Sequence, residues 1–374
     1  NKRSAEEKNP FISHNPSPIP FDLKEGIIEM VRISKRRRRN KADPFRWFGV
    51  AILLSVIGLT GTLTFMNQKS GDDKEGVVVK TSLVDAYSAS KILKNGLPYL
   101  VYGTAWKKGE SARLVQEAIQ HGFRFIDTAG QPKHYNEGGV GDGIVAAIQE
   151  LSLSRDDLWI QTKFSPIGGQ DPTNIPYDPD ADVEDQVLQS FEASLKNLKT
   201  KYIDSLVLHS PYHTMEDTMK AWRIFEQLVD EGKVLQIGIS NCYDIEVFQK
   251  LYGAARIKPS VLQNRFYSDS GFDIALREFC AEKGVIYQSF WTLTASRQAL
   301  ARPEIAKIAD GKDLTPQTLM YAFMMSMGHT PLDGTTSKVH MMEDIAVMER
   351  IQSEEEIFNP SEMEEIAFLL GITK

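Results

Sequence analysis

Eight short strand-like runs alternate with helical patterns along the C-terminal part of this 374-residue chain. They fall near residues 99–103, 123–128, 158–164, 203–209, 234–240, 260–266, 285–291 and 330–334. Between them apolar residues recur at spacings of three and four, as over 183–198 and 215–231, which is the period of a helix face. Strands apolar on both faces and joined by helices belong in a parallel sheet covered on both sides. Eight such units over about 270 residues predict a (β/α)8 TIM barrel closed on itself. An open doubly wound sheet would instead bring a glycine fingerprint directly after its first strand. Gly139-Val140-Gly141-Asp142-Gly143 has the glycines, but Tyr135-Asn136-Glu137 precedes it rather than a strand. Its last spacing is also one residue short, so it reads as the opening of the second helix.

Three successive runs end in ionisable groups. Phe123-Arg124-Phe125-Ile126 delivers Asp127, Leu158-Trp159-Ile160-Gln161-Thr162 delivers Lys163, and Ile203-Asp204-Ser205-Leu206-Val207-Leu208 delivers His209. The C-terminal end of barrel strands carries the chemistry, so these groups are expected to meet. Tyr135 follows Asp127 by eight residues. A tyrosine alone is a poor acid, with an ordinary pKa of about 10; a neighbouring ammonium favours the phenolate and lowers that value. Tyr102, Tyr177 and Tyr212 are the rival tyrosines, each expected to serve packing or the rim. His134, His209 and His213 show no metal-ligand spacing, and no metal site is expected.

At these residues the chain resembles the aldo-keto reductases. Gly122 to Ala129 resembles that family's first signature, Gln161-Thr162-Lys163-Phe164 its lysine strand, and Leu206-Val207-Leu208-His209-Ser210-Pro211 its histidine strand. Gly238 to Asn241, the run at 259–267 and Gly334 to Ser337 fall in the family's order, and the resemblance runs from about Leu97 to about Gly371. It implies a proton donor, Tyr135, beside Lys163, with Asp127 holding the lysine and His209 bonding the substrate oxygen. Hydride would arrive from a reduced nicotinamide. One departure is clear: the family's tyrosine usually stands five residues after the aspartate, and here it stands eight after, with Gly130 to His134 between.

The resemblance also places Ser240, Asn241 and Gln263 at the nicotinamide carboxamide and the Phe290 ring under the nicotinamide. Gly334, Thr335, Thr336 and Ser337 open a helix whose free N–H groups suit a phosphate. NADP-preferring relatives carry a lysine–serine pair and an arginine where this chain has Gly334-Thr335 and His340, which leaves Lys338 as the nearest cation. Glu343 and Asp344 would meet the adenine. NADP(H) is the cofactor so implied, with NAD(H) as the alternative and only a modest NADPH preference. The long Pro- and Gly-rich segment 165–182 is expected over the pocket, with Trp106 and Trp291 as apolar walls. That suits an apolar or aromatic carbonyl substrate. Some barrels of this family are binding subunits that sense nicotinamide redox state, which is the alternative function; a full set of acid–base residues favours an enzyme.

Charge is uneven. Residues 1–46 hold 12 Lys+Arg against 6 Asp+Glu while the chain as a whole carries −7. The acidic remainder argues against nucleic-acid binding by the barrel. Cys242 and Cys280 are the two cysteines, so no disulfide framework is implied. Residues 1–46 read as a disordered basic arm, 47–68 as a transmembrane helix, 69–96 as a stalk, and 97–374 as the barrel. No charged residue lies between Trp47 and Gln68, and about 22 residues suffice to cross a bilayer. Membrane lipid is therefore an expected partner. The basic flank, Lys35 to Arg39 with Lys41 and Arg46, puts the arm in the cytoplasm and the barrel on the lumenal side. The alternative is a cytosol-facing barrel; oligomeric state is not legible.

Overall fold

The computed structural model describes residues 99–353 and 355–372. Eight parallel strands close into a barrel in sequence order, with the first bonded to the last. They are β1 Val101–Gly103, β2 Phe125–Asp127, β3 Trp159–Phe164, β4 Ile203–Leu208, β5 Val234–Ser240, β6 Val261–Arg265, β7 Ile286–Phe290 and β8 Thr330–Asp333. The principal covering helices are α1 Ser111–Gln120, α2 Glu137–Leu151, α3 Val183–Leu198, α4 Met215–Asp230, α5 Ile245–Ala254 and α6 Ile274–Lys283. After β7 come two one-turn pieces, α7 Thr292–Ala295 and α8 Arg297–Leu300, then α9 Pro303–Asp310 and α10 Pro316–Ser326. Finally α11 Lys338–Gln352 follows β8, and α12 Pro360–Leu369 closes the described chain. The barrel expected from the alternation is present. The arm, transmembrane helix and stalk expected over 1–96 lie outside the described residues. Among the described residues no helix is long and apolar enough to cross a membrane.

Most of the apolar core lies between strands and helices, where outward-facing residues such as Ile160, Leu206 and Ile237 meet Trp222, Phe225 and Phe248 from the helices. A smaller apolar cluster of Tyr99, Val101, Trp159, Val261 and Ile286, with Phe125 and Leu332 against it, forms separately. Period-two alternation explains the split. Phe125, Trp159, Val261 and Ile286 each stand two residues before Asp127, Gln161, Gln263 and Gln288. Register aligns Asp127 with Gln161 and Gln263 with Gln288. The barrel interior thus has an apolar floor and a polar middle layer. In that layer Gln161 Nε2 donates to Gln288 Oε1 at 2.8 Å, Gln263 Nε2 to the same oxygen at 2.9 Å, and Ser205 Oγ to Gln161 Oε1 at 2.9 Å. Barrel interiors are usually filled by branched aliphatics; here the strands are buried on both faces, but one inward layer is glutamine-rich.

The glycine cluster is helix, as expected, but its purpose is contact rather than flexibility. A Cβ at Gly141 would stand 2.1 Å from the Asn197 carbonyl oxygen, and one at Gly143 would stand 2.3 Å from that of Ala112. These glycines let α2 sit against α3 and α1. That seating aims the preceding loop, which carries Tyr135, over the barrel mouth.

Candidate active site

Asp127 ends β2 and Lys163 lies near the end of β3, both facing into the barrel and almost wholly buried. Lys163 Nζ donates to Asp127 Oδ2 at 2.6 Å and to the Thr128 carbonyl at 2.8 Å. The other carboxylate oxygen accepts from Gln161 Nε2 at 2.7 Å and Gln263 Nε2 at 3.0 Å. A buried ion pair survives only when its remaining valences are satisfied, and the glutamine layer meets that need. Burial acts to lower the Lys163 pKa, but the Asp127 charge and the Tyr135 hydroxyl outweigh it, and the net direction is upward. The ammonium therefore stays charged.

Tyr135 arrives from the β2–α2 loop. Asn136 caps α2 by accepting from Gly139 N at 3.0 Å, and Glu137 is buried with Thr162 Oγ1 donating to it at 2.5 Å. The three lengthening residues are absorbed by a turn in which His134 N and Tyr135 N both donate to the Gln131 carbonyl, at 3.1 and 3.0 Å. Lys163 Nζ lies 5.0 Å from the Tyr135 ring centroid, and the His209 ring meets Tyr135 edge-on at 5.9 Å. The tyrosine's pKa is not lowered overall, contrary to the sequence expectation. Burial raises it, and the Lys163 charge only opposes that rise. Sequence reasoning counted the lysine and not the loss of water.

His209 follows β4, its Nδ1 2.5 Å from Ser165 Oγ. Burial first, then the nearby Lys163 and His134, holds its pKa well below the ordinary histidine value, so the ring is neutral. The Ser165 hydroxyl occupies Nδ1 and leaves Nε2 as the ring nitrogen open to a substrate oxygen. Two rival tyrosines are bonded elsewhere, Tyr102 OH to the Thr335 carbonyl and Tyr177 OH to the Ser165 carbonyl, and the third, Tyr212, is not on the wall of the cavity at this end of the barrel.

A cavity of about 790 Å³ opens at this end of the barrel. It brings together Asp127, Tyr135 and His209 with Ser240, Asn241, Gln263, Phe290, Gly334, Thr335, His340, Glu343 and Asp344. Lys163 lies just beneath, reaching the cavity through Tyr135. Trp106 and Trp291, 62% and 49% exposed, flank it, both with left-handed φ, at 64° and 59°. Thr336, Ser337 and Lys338 are not on its wall; Lys338 Nζ pairs instead with Glu117 at 3.2 Å. From the 165–182 segment, Ser165, Pro166 and Gly169 reach the wall.

Among the described residues no group of three or more His, Cys, Asp or Glu could hold a metal. The donor set does fit a nicotinamide dinucleotide, because amide and hydroxyl groups, an aromatic face and a helix start line one groove. Sequence reasoning missed Lys107, whose Nζ donates to the Gly334 and Thr335 carbonyls, and Arg265 and Tyr321 on the cavity wall. None stands at a recognisable motif; only strand register would have pointed inward for Arg265.

Residues 99–364 match the family model described as the aldo/keto reductase family. This chain belongs to that family. Its members are oxidoreductases of carbonyl substrates that generally use NAD(P)H. An uncharacterised oxidoreductase of Bacillus subtilis is 31% identical over 64% of this chain and 79% of its own length. A glyoxal reductase from the same bacterium is 27% identical over 74% and 92%, and a D-galacturonate reductase of Fragaria ananassa 26% over 65% and 78%. Among solved structures, an aldo-keto reductase from a Medee basin deep-sea metagenome library superposes with a TM-score of 0.60 at 23% identity, covering 74% of this chain and 93% of that one. That likeness speaks for the fold.

A carboxyl pair, Asp333 and Asp344, sits on the β8–α11 side of this reductase cavity. Burial, then Asp333, pushes Asp344 up to about 9, and burial also raises Asp333. A raised folded-state pKa means stability present at low pH and lost as pH climbs through the folded value. The loss here should run from about pH 4, the ordinary aspartate value, to about pH 9. Asp344→Asn is therefore expected to gain thermal stability over the wild type most strongly near pH 9 and least near pH 5, by about 2–4 °C for each kcal/mol relieved. Melting curves across that range check it; a gain independent of pH would contradict the buried pair.

Proposed function

We propose that the chain reduces aldehydes or ketones to alcohols with NAD(P)H, Tyr135 serving as proton donor. The observation that carries this reading is the buried Lys163–Asp127 pair at 2.6 Å, set against Tyr135 beside a neutral His209 at the mouth of one cavity. When bound, the reduced nicotinamide supplies hydride to the carbonyl carbon. As the new C–H bond forms, the π pair moves to the carbonyl oxygen, which takes the phenolic proton of Tyr135. Lys163 stabilises the phenolate left behind, and Asp127 keeps Lys163 charged and in place. His209 Nε2–H donates to the same oxygen before and during transfer, adding charge stabilisation where charge develops. A neutral ring suits that task because it does not compete with Tyr135 as the acid.

The names of the relatives, a glyoxal reductase and a D-galacturonate reductase, support a carbonyl as the substrate class. NADP(H) is our choice of cofactor by family resemblance, with a modest preference. A 2′-phosphate wants a charge-assisted partner, yet Lys338 is paired with Glu117 while Asp333, Glu343 and Asp344 line the groove. That scarcity of free cations favours NAD(H) as the second reading.

Tyr135→Phe should lower kcat by roughly 10³-fold, the usual scale for one acid–base group. Its NADPH dissociation constant, read by fluorescence titration, should stay within about twofold, because the ring and its packing remain. Wild-type turnover in this variant would refute the assignment of the donor.

We further propose that residues 47–68 anchor the chain in a membrane with the barrel on the non-cytoplasmic side. The support is the uncharged run and its arginine-rich flank. The full chain should resist carbonate extraction, and a C-terminal tag should survive protease treatment of intact microsomes. Extraction by carbonate counts against the anchor, and digestion of the tag against the orientation.

A further inference from the structure

Arg265 ends β6 on the same inward face as Gln263, two residues on and so about 6.6 Å nearer the barrel mouth at the rise of a parallel strand. Gln263 bonds Asp127, so Arg265 stands one layer above the ion pair and lines the cavity with Tyr135 and His209. Aromatic faces hold it in place. Its guanidinium carbon lies 4.1 Å from the Trp291 ring centroid, 5.2 Å from that of Tyr267 and 5.9 Å from that of Phe290. Stacking uses the face of the guanidinium and leaves its in-plane N–H donors for a planar oxyanion. Those donors have no partner: Nε is buried without a hydrogen bond, and no carboxylate pairs with this arginine among the described residues. An unpaired buried donor is costly, and a bound anion would offset that cost.

The charges nearby show which anion is wanted. Lys163 is neutralised by Asp127, His209 is neutral, and Lys107 is spent on two carbonyls. Among the described residues Arg265 is the one lysine or arginine on the cavity wall, while the carboxyls Asp333, Glu343 and Asp344 gather on the β8–α11 side. We propose that Arg265 is a carboxylate receptor, and that the substrates are carbonyl compounds that also carry a carboxylate. The exposed Trp291 then serves to hold the guanidinium as well as to wall the pocket. This rests on the carbonyl-reductase reading above and adds the class of substrate.

The test has two arms on the full chain. In the first, benzoate and its neutral counterpart benzamide are titrated calorimetrically into the NADPH-saturated protein, with no turnover required. Benzoate should bind the more tightly, and Arg265→Met should weaken benzoate by roughly 10- to 100-fold, the scale of a charged hydrogen-bonded contact, without a matching loss for benzamide. Arg265→Lys, which keeps the charge but not the planar fork, should fall between. In the second arm, the kcat/KM ratio of 4-carboxybenzaldehyde to 4-nitrobenzaldehyde should drop in Arg265→Met by a similar factor. Equal binding of benzoate and benzamide by the wild type overturns the proposal. So does an Arg265→Met loss that falls equally on NADPH, which would assign the arginine to the cofactor's diphosphate. Benzoate selectivity without reduction of any aldehyde would sink the reductase reading alone and leave the receptor standing.

Discussion

The buried pair of Lys163 and Asp127 sets the terms for everything around it. Taking two charges out of water costs several kcal/mol each unless close contact and further hydrogen bonds compensate. The compensation is visible: both carboxylate oxygens are bonded, one by the lysine and one by two glutamines, and the ammonium has a second acceptor in Thr128. A glutamine layer inside a barrel would otherwise be a poor filling. Here it is the counterpart of the ion pair, and the apolar floor of Tyr99, Trp159 and Ile286 lies below it to keep water out.

From that pair outward, each element has a positioning task. Close packing of α2 through Gly141 and Gly143 seats the helix whose N-cap, Asn136, follows directly on Tyr135 at the mouth. Ser165, at the start of the long segment after β3, orients His209. Trp106 and Trp291 adopt left-handed backbone conformations at the rim, a strain tolerated where function fixes a side chain. The cavity is chemically divided, with a guanidinium on the β6–β7 side and carboxyls, two of them held toward the protonated form, on the β8–α11 side. That division bears on both substrate and cofactor.

Much of the barrel was legible because period and strand-end chemistry are local properties. Val183–Leu198 matches its helix to the residue, and the runs ending in Asp127, Lys163 and His209 are all strands whose ends converge. What stayed hidden depends on register and on burial. Register and hydrogen bonding bring Gln161, Gln263 and Gln288 together, and nothing in a single strand announces it. Arg265 in isolation reads as an ordinary end-of-strand charge. The pKa of Tyr135 ran opposite to expectation because a sequence shows the neighbouring lysine but not the desolvation. Likewise Lys338 is adjacent to the predicted phosphate site in sequence, yet Glu117 of α1 claims it in space.

The central claim is that the Lys163 charge, held by Asp127, makes proton transfer from Tyr135 possible. Its most direct test is the single-turnover rate of hydride transfer from NADPH to an aldehyde in Lys163→Met, alongside Asp127→Asn/Lys163→Met, which leaves no uncompensated buried carboxylate. Both variants should lose about 100-fold or more in that step, the scale of removing one charge-stabilising group, while still binding NADPH. A double variant that folds, binds NADPH and transfers hydride at the wild-type rate would contradict the account.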